Sequence, residues 1–169
     1  EQPYNADLDF GTGDFSVIGW FNQTLSTSTQ YFVSKTDGSL ADFQFGMTGA
    51  NDLLLVVRGA IPARTAAAAY ADNTWNQVVY VREAGIAKIY LNGSLTTNIM
   101  GSGESTDSID RVGQKLYWGD GPVSNPFVGS LALMRISATA PSAEQILKIY
   151  NDAKLLFEDN ADCTVDRTS

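Results

Sequence analysis

The chain has no histidine and a single cysteine, Cys163, among its 169 residues. Without an imidazole, neither a Ser-His-Asp nor a Cys-His nucleophile can be assembled, and zinc held by histidine is excluded. One thiol cannot close an intramolecular disulfide, so the core alone must hold the fold, and the redox compartment is left open. Basic residues are scarce: 11 Lys and Arg stand against 19 Asp and Glu, for a formal net charge of −8. A phosphate backbone is gripped by Lys and Arg that displace its counterions, so nucleic acid is a poor partner, as is an anionic membrane surface. No apolar run approaches the roughly 20 residues that span a bilayer, and no membrane insertion is expected. Glu1 opens the chain without a charged-then-apolar leader, which reads as a cut from a longer protein.

What is present is β-forming and aromatic. Hydrophobic residues make up 44% and charged residues 18%, enough for one domain that buries roughly two thirds of its unfolded surface. Eight Phe, seven Tyr and three Trp, with abundant Val, Ile and Thr, favour pleated strands and an all-β class. Residues 15–21 put Phe15, Val17, Gly19 and Phe21 on one face and Ser16, Ile18 and Trp20 on the other, which suits an inner strand. Short strands are predicted over 31–35 and 42–47, divided by Asp37-Gly38, and a buried one over 53–57 between Asn51-Asp52 and Gly59. The alanine-rich stretch 65–70 is shorter than an autonomous helix needs and is expected to be a strand. Segments 75–82 and 86–91, joined by Glu83, Ala84 and Gly85, predict an antiparallel hairpin, and Asn92-Gly93 after it a type I′ turn.

Further on, residues 101–110 carry almost nothing apolar and read as an exposed loop, as does 24–29. The last strands are expected at 115–119 and 127–136, with an irregular loop over 119–126 between them. Only the end reads as helical. Ser142 and Gln145 have the spacing of a capping box, and Ile146, Ile149, Tyr150, Ala153 and Phe157 recur at helical intervals, as in an amphipathic helix packed on a sheet. One domain over 1–157 and a polar tail over 158–169 follow, with no internal repeat.

The order of these pieces, over roughly residues 14–149, resembles the laminin-G-like branch of the concanavalin A-like superfamily. The carriers are the aromatic strand Phe15 to Phe21, Phe32 to the Ser34-Lys35 pair, the Trp75-initiated strand, Ile89 to Asn92-Gly93, the Phe127-x-Gly129 strand and Ser142 to Ile146. The resemblance implies a two-sheet antiparallel jelly-roll sandwich with one C-terminal helix, one sheet commonly concave and ligand loops along its rim. A second likeness lies in the tail: Ile149-Tyr150, Leu155 to Phe157 and Asn160 to Thr164 look like the stretch after such domains in tail-fibre and other virion proteins of marine bacteriophages. It implies an extracellular or virion location, as one module of a longer, homotrimeric fibre or adhesin.

The superfamily also contains glucanases, which look like Glu-x-Asp-x-x-Glu along one strand. No strand here carries that triplet, and the acids fall at strand ends and loops, so glycoside hydrolysis is disfavoured. Calcium is the cofactor the resemblance implies, with Asp7, Asp9, Asp14 and Asp120 as donors of oxygen ligands. One departure counts against it: Ala132 stands where relatives tend to place an acid. For a sugar, a ring beside amide and carboxylate groups is needed, and Tyr117, Trp118, Asp120 and Asn125 form the best such cluster. Trp118 shares strand parity with Leu116 and is expected to point inward, leaving Tyr117 as the exposed ring. The triplets at Asn22 and Asn92 match glycosylation acceptors, by default through chance. The expected role is non-catalytic: binding a cell-surface glycan, or packing against neighbouring virion subunits as an assembly domain.

Overall fold

Alternation in the strands and Gly-bearing turns between them dictate two sheets, and the computed structural model, which describes residues 1–24, 28–96, 103–120 and 125–158, contains both. The strands are β1 Phe15–Gln23, β2 Gln30–Thr36, β3 Phe43–Met47, β4 Leu53–Val57, β5 Ala60–Arg64, β6 Trp75–Glu83, β7 Ile86–Leu91, β8 Ser94–Leu95, β9 Lys115–Trp118 and β10 Gly129–Ser137. One sheet runs β10-β1-β6-β7-β8 and the other β5-β4-β3-β2-β9, with every pairing antiparallel. Helix α1, Ala143–Ala153, and the 3-10 turn Lys154–Phe157 follow.

The inward faces form a core of Phe15, Val17, Phe21, Phe43, Phe45, Leu53, Leu55, Val78, Tyr80 and Ile89, among others. Burying a side chain of this size contributes about 1.5–3 kcal/mol each, and Phe43, Phe45 and Tyr80 stack with ring centroids 5.0 and 4.7 Å apart. The outward face of the first sheet is covered as well. Ile146 of α1 is buried against Ile18, Val79, Val81 and Tyr90, and Trp20 stacks on Tyr150 and Phe157 at 5.7 and 4.2 Å. The helix starts as its sequence dictates, with the Ser142 hydroxyl accepting from the Gln145 amide and the Gln145 side chain accepting from the Ser142 amide.

The hairpin β6–β7 turns on Ala84 and Gly85, both at positive φ, and Asn92-Gly93 at φ 50° and 78° turns β7 into β8, as expected of type I′ geometry. Where β1 meets β10 the register slips. A Cβ at Gly19 would lie 1.9 Å from the Met134 sulfur, so the glycine makes room for the methionine while Leu133 takes φ 51° in a bulge. On β9, Gln2 forms an isolated bridge to Leu116.

Two expectations are corrected. Residues 65–70 form turns, not a strand, because β5 lies earlier, over Ala60–Arg64, where Pro62 is tolerated on a sheet edge. Past it, Ala68 takes φ 55° and Tyr70 turns into the core, edge-on to Phe21. The described part of the 101–110 stretch, expected to be exposed, buries Ile109 completely, since Gly103 and Ser105 bond to the β6–β7 turn and draw the segment onto the sandwich.

Candidate functional site

Strand order gives the sandwich two ends. At one, where β1, β7 and β9 begin, two buried cations gather the loops. The Lys35 ammonium pairs with Asp9 and with Asp42 at 3.2 Å, and donates to the Leu8 and Ile109 carbonyls at 3.1 and 3.3 Å. Arg82 donates to the carbonyls of Gly13, Asp107 and Gly11 at 2.8, 2.8 and 2.7 Å and lies over the Phe15 ring; burial pulls its pKa below the ordinary arginine value.

Three of the four expected calcium donors fall in or near this end, and the carboxylates of two of them, Asp9 and Asp14, are otherwise engaged. Asp9 accepts from Lys35 and from the Tyr4 hydroxyl at 2.6 Å, Asp14 accepts the Ala84 amide at 2.8 Å, and Asp7 sits in the 3-10 turn Ala6–Leu8. Asp120 follows β9, whose four residues span about 13 Å, and so lies toward the opposite end. The residues present do not fit a carboxylate cage: among the described residues no three His, Cys, Asp or Glu converge.

The second sheet has an outward face that α1 does not cover. Its strands β2, β3, β4, β5 and β9 contain no Asp or Glu. Cross-strand register aligns Tyr117, Ser34, Gln44 and Val56 in one row, and Tyr31, Gly46, Leu54 and Arg64 in the next. A bulge between Tyr31 and Val33 sends both Phe32 and Val33 into the core and Tyr31 outward. Gly46 is required by that bulge, since a Cβ there would lie 2.0 Å from the Gln30 carbonyl. The face thus carries two half-buried tyrosine rings as diagonal neighbours, the Gln44 amide reaching the Ser34 hydroxyl at 3.5 Å, and the apolar surface of Val56. Burial raises the Tyr31 pKa, so its hydroxyl stays neutral and can both donate and accept. The three cations on these strands are committed to carboxylates: Arg64 to Asp52, Lys115 to Glu1 and Lys35 as above.

The predicted sugar cluster is therefore split. Tyr117 lies on the outward face, while Trp118, the next residue, points to the other side, so the two cannot form one plate. Trp118 was expected inside and is 38% exposed, because it ends an edge strand at the open end of the sandwich. Asn125 meets the site through its main chain, accepting the Tyr31 amide at 3.3 Å, and Asp120 is exposed beside Gly119. Tyr31, Ser34 and Gln44 were missed, although alternation in 43–47 places Gln44 opposite Phe43 and Phe45; the bulge hides the parity of Tyr31.

No curated protein sequence matches this chain. Among solved structures it is similar to Ruminococcus gnavus IT-sialidase CBM40, at 18% identity and TM-score 0.69, over 83% of this chain and 84% of that one. A second structure of that protein, bound to alpha2,3 sialyllactose, matches at 16% identity and TM-score 0.69, over 89% and 97%. Trypanosoma rangeli sialidase matches at 12% identity and TM-score 0.63; 88% of this chain aligns, but only 24% of the sialidase. These likenesses establish the fold. Residues 3–147 match the family model Laminin_G_3, and the chain belongs to the concanavalin A-like lectin/glucanases superfamily.

Proposed function

We propose that this domain is a non-catalytic carbohydrate-binding module, and that it holds a glycan on the outward face of the second sheet, over Tyr31 and Tyr117. The observation that carries the reading is a sheet face with two rings, an amide and a hydroxyl, and no acid on any of its strands. The apolar face of a pyranose stacks on a ring for about 0.5–1.5 kcal/mol, and Gln44 and the Tyr31 hydroxyl hydrogen-bond its hydroxyls. Hydrolysis needs a carboxylate pair across the scissile bond; the strands of this face carry none, and the Glu1 carboxylate beside it is held by Lys115 and the Tyr117 hydroxyl. Likeness to a carbohydrate-binding module over most of both chains supports the same reading.

The neighbour's ligand, sialyllactose, carries a carboxylate. Here Arg64, Lys115 and Lys35 already pair with acids, so the face suits neutral glycans over sialylated ones. A glycan array carrying each glycan with and without sialic acid tests this. Binding is expected to the neutral members, and Tyr117→Ala is expected to weaken it about tenfold, the loss of one ring stack. An array without hits, or unchanged binding by the variant, overturns the assignment.

The domain is further read as a module of a longer extracellular or virion protein. A second reading, an assembly domain packing against subunits of a trimer, rests on the exposed side chains of Leu147, Leu155 and Leu156 at 46%, 59% and 64%. Sedimentation discriminates: a concentration-dependent trimer abolished by Leu155→Ser with Leu156→Ser favours assembly, and a monomer that binds glycan favours the module.

A further inference from the structure

A second site lies on the opposite side of the sandwich, where β1 ends and β6 begins. Asn22, Asn73, Thr74, Trp75 and Phe157 line a cavity of about 270 Å³. That is just under the range of about 300–1,000 Å³ that takes drug-sized ligands, and it suits one sugar ring. Asn22 and Trp75 are cross-strand partners with side chains on the same face, and Phe157, brought by the turn after α1, sets its ring 4.8 Å from the Trp75 indole at 47°. Two rings at that angle make an aromatic wedge, with the indole half-exposed.

The polar wall is fixed before any ligand arrives. Thr74 donates to the Ala71 carbonyl at 2.7 Å, and the Asn76 amide donates to the Thr74 carbonyl and hydroxyl oxygen, both at 3.1 Å. Asn92 donates to Asn76 at 3.0 Å and accepts the Gln77 amide at 2.9 Å. Asn73 is pinned by its main chain to the Gln23 carbonyl at 2.7 Å and takes φ 56°. Within this network two groups are left over. Among the described residues, neither the Asn22 nor the Asn73 side-chain amide is hydrogen-bonded.

We infer that this cavity is a second carbohydrate subsite, which takes a single neutral pyranose against Trp75 and Phe157, with its hydroxyls bonded by the Asn22 and Asn73 amides. An uncommitted carboxamide supplies one acceptor and two donors, the complement of vicinal hydroxyls, and among the described residues no cation lines the cavity to select a charged sugar. The site is independent of the sheet face that Tyr31 and Tyr117 occupy, and each can fail without the other.

Residue-resolved NMR with the methyl pyranosides of glucose, galactose, mannose and N-acetylglucosamine tests the inference. At least one is expected to shift the Trp75 indole N–H and the Asn22 and Asn73 side-chain amides. In Asn73→Gly, which keeps the positive φ without strain, the midpoint of that shift is expected to move at least fivefold, and further in Asn22→Ala with Asn73→Gly, at unchanged melting temperature. Shifts confined to Tyr31 and Tyr117, no shift with any of the four, or full binding by the double variant would overturn the subsite and leave the sheet-face reading untouched.

Discussion

At one end of the sandwich, Lys35 and Arg82 reach five backbone carbonyls and two carboxylates and tie three separate loops together; at the other, asparagine amides and aromatic rings face outward. The first end spends its polar chemistry on itself. A buried cation is held only where carbonyls and carboxylates match it, because desolvation costs several kcal/mol per ion, so the polar groups around Lys35 and Arg82 are turned inward. The second end builds its walls from neutral amides, whose unmatched groups cost little while they face water. Stability and recognition are thus assigned to opposite ends of the same strands, and changes at one should leave the other's property alone.

The largest test of that division is Lys35→Met. It leaves the Asp42 carboxylate, fully buried, with only Arg58 at 3.4 Å and the Arg111 backbone amide at 3.1 Å, and should cost about 3–5 kcal/mol in urea unfolding while glycan affinity at saturation of the folded fraction is unchanged. A loss under about 1 kcal/mol would mean that the end is not held by its cations. Between the ends stands Tyr80, whose hydroxyl donates to the Gly46 carbonyl at 2.9 Å. Burial holds the Tyr80 and Tyr70 pKa values above the ordinary 10.0. A raised folded-state pKa contributes stability that is whole below about pH 10 and is lost as pH rises through the raised value. Tyr80→Phe should therefore lose about 1 kcal/mol at neutral pH yet begin its alkaline unfolding later, followed by circular dichroism. The same alkaline onset in variant and parent would show that Tyr80 does not govern it. The smallest effect belongs to Ser142→Ala, which removes the cap of α1 at the stapled end and should cost about 0.5–1 kcal/mol. If it also altered the Asn73 and Trp75 pocket signals, the two ends would be coupled through the helix.

Much of the architecture was written in local pattern. The hairpin over 75–91, the Asn92-Gly93 turn and the Ser142 box each depend on residues a few positions apart, and each formed as expected. What failed depends on partners distant in the chain. Residues 65–70 run past the start of β4, so after Thr65 donates to Leu53 the chain meets the turn at Ala50 and Asn51 and no further strand, and Ile109 is buried where Gly103 and Ser105 meet the β6–β7 hairpin and its own amide donates to Gly11. Of the proposed sheet face half was legible: alternation gave the outward placement of Tyr117, whereas that of Tyr31 was hidden by a bulge that breaks the period of two. Nothing in the local sequence distinguishes Lys35 from a surface lysine; three loops brought by the fold decide its state.

The four outer strands also differ in how they finish their sheets. Pro62 removes a donor from β5, β8 is two residues long, β10 is kinked at Leu133, and β9 is met by Gln2. An unblocked border would template a foreign strand and lead toward fibrils, so this chain obstructs polymerisation four separate ways. Any association it undergoes is then directed to side chains on its faces, where specificity can be chosen, and away from backbone pairing, where it cannot.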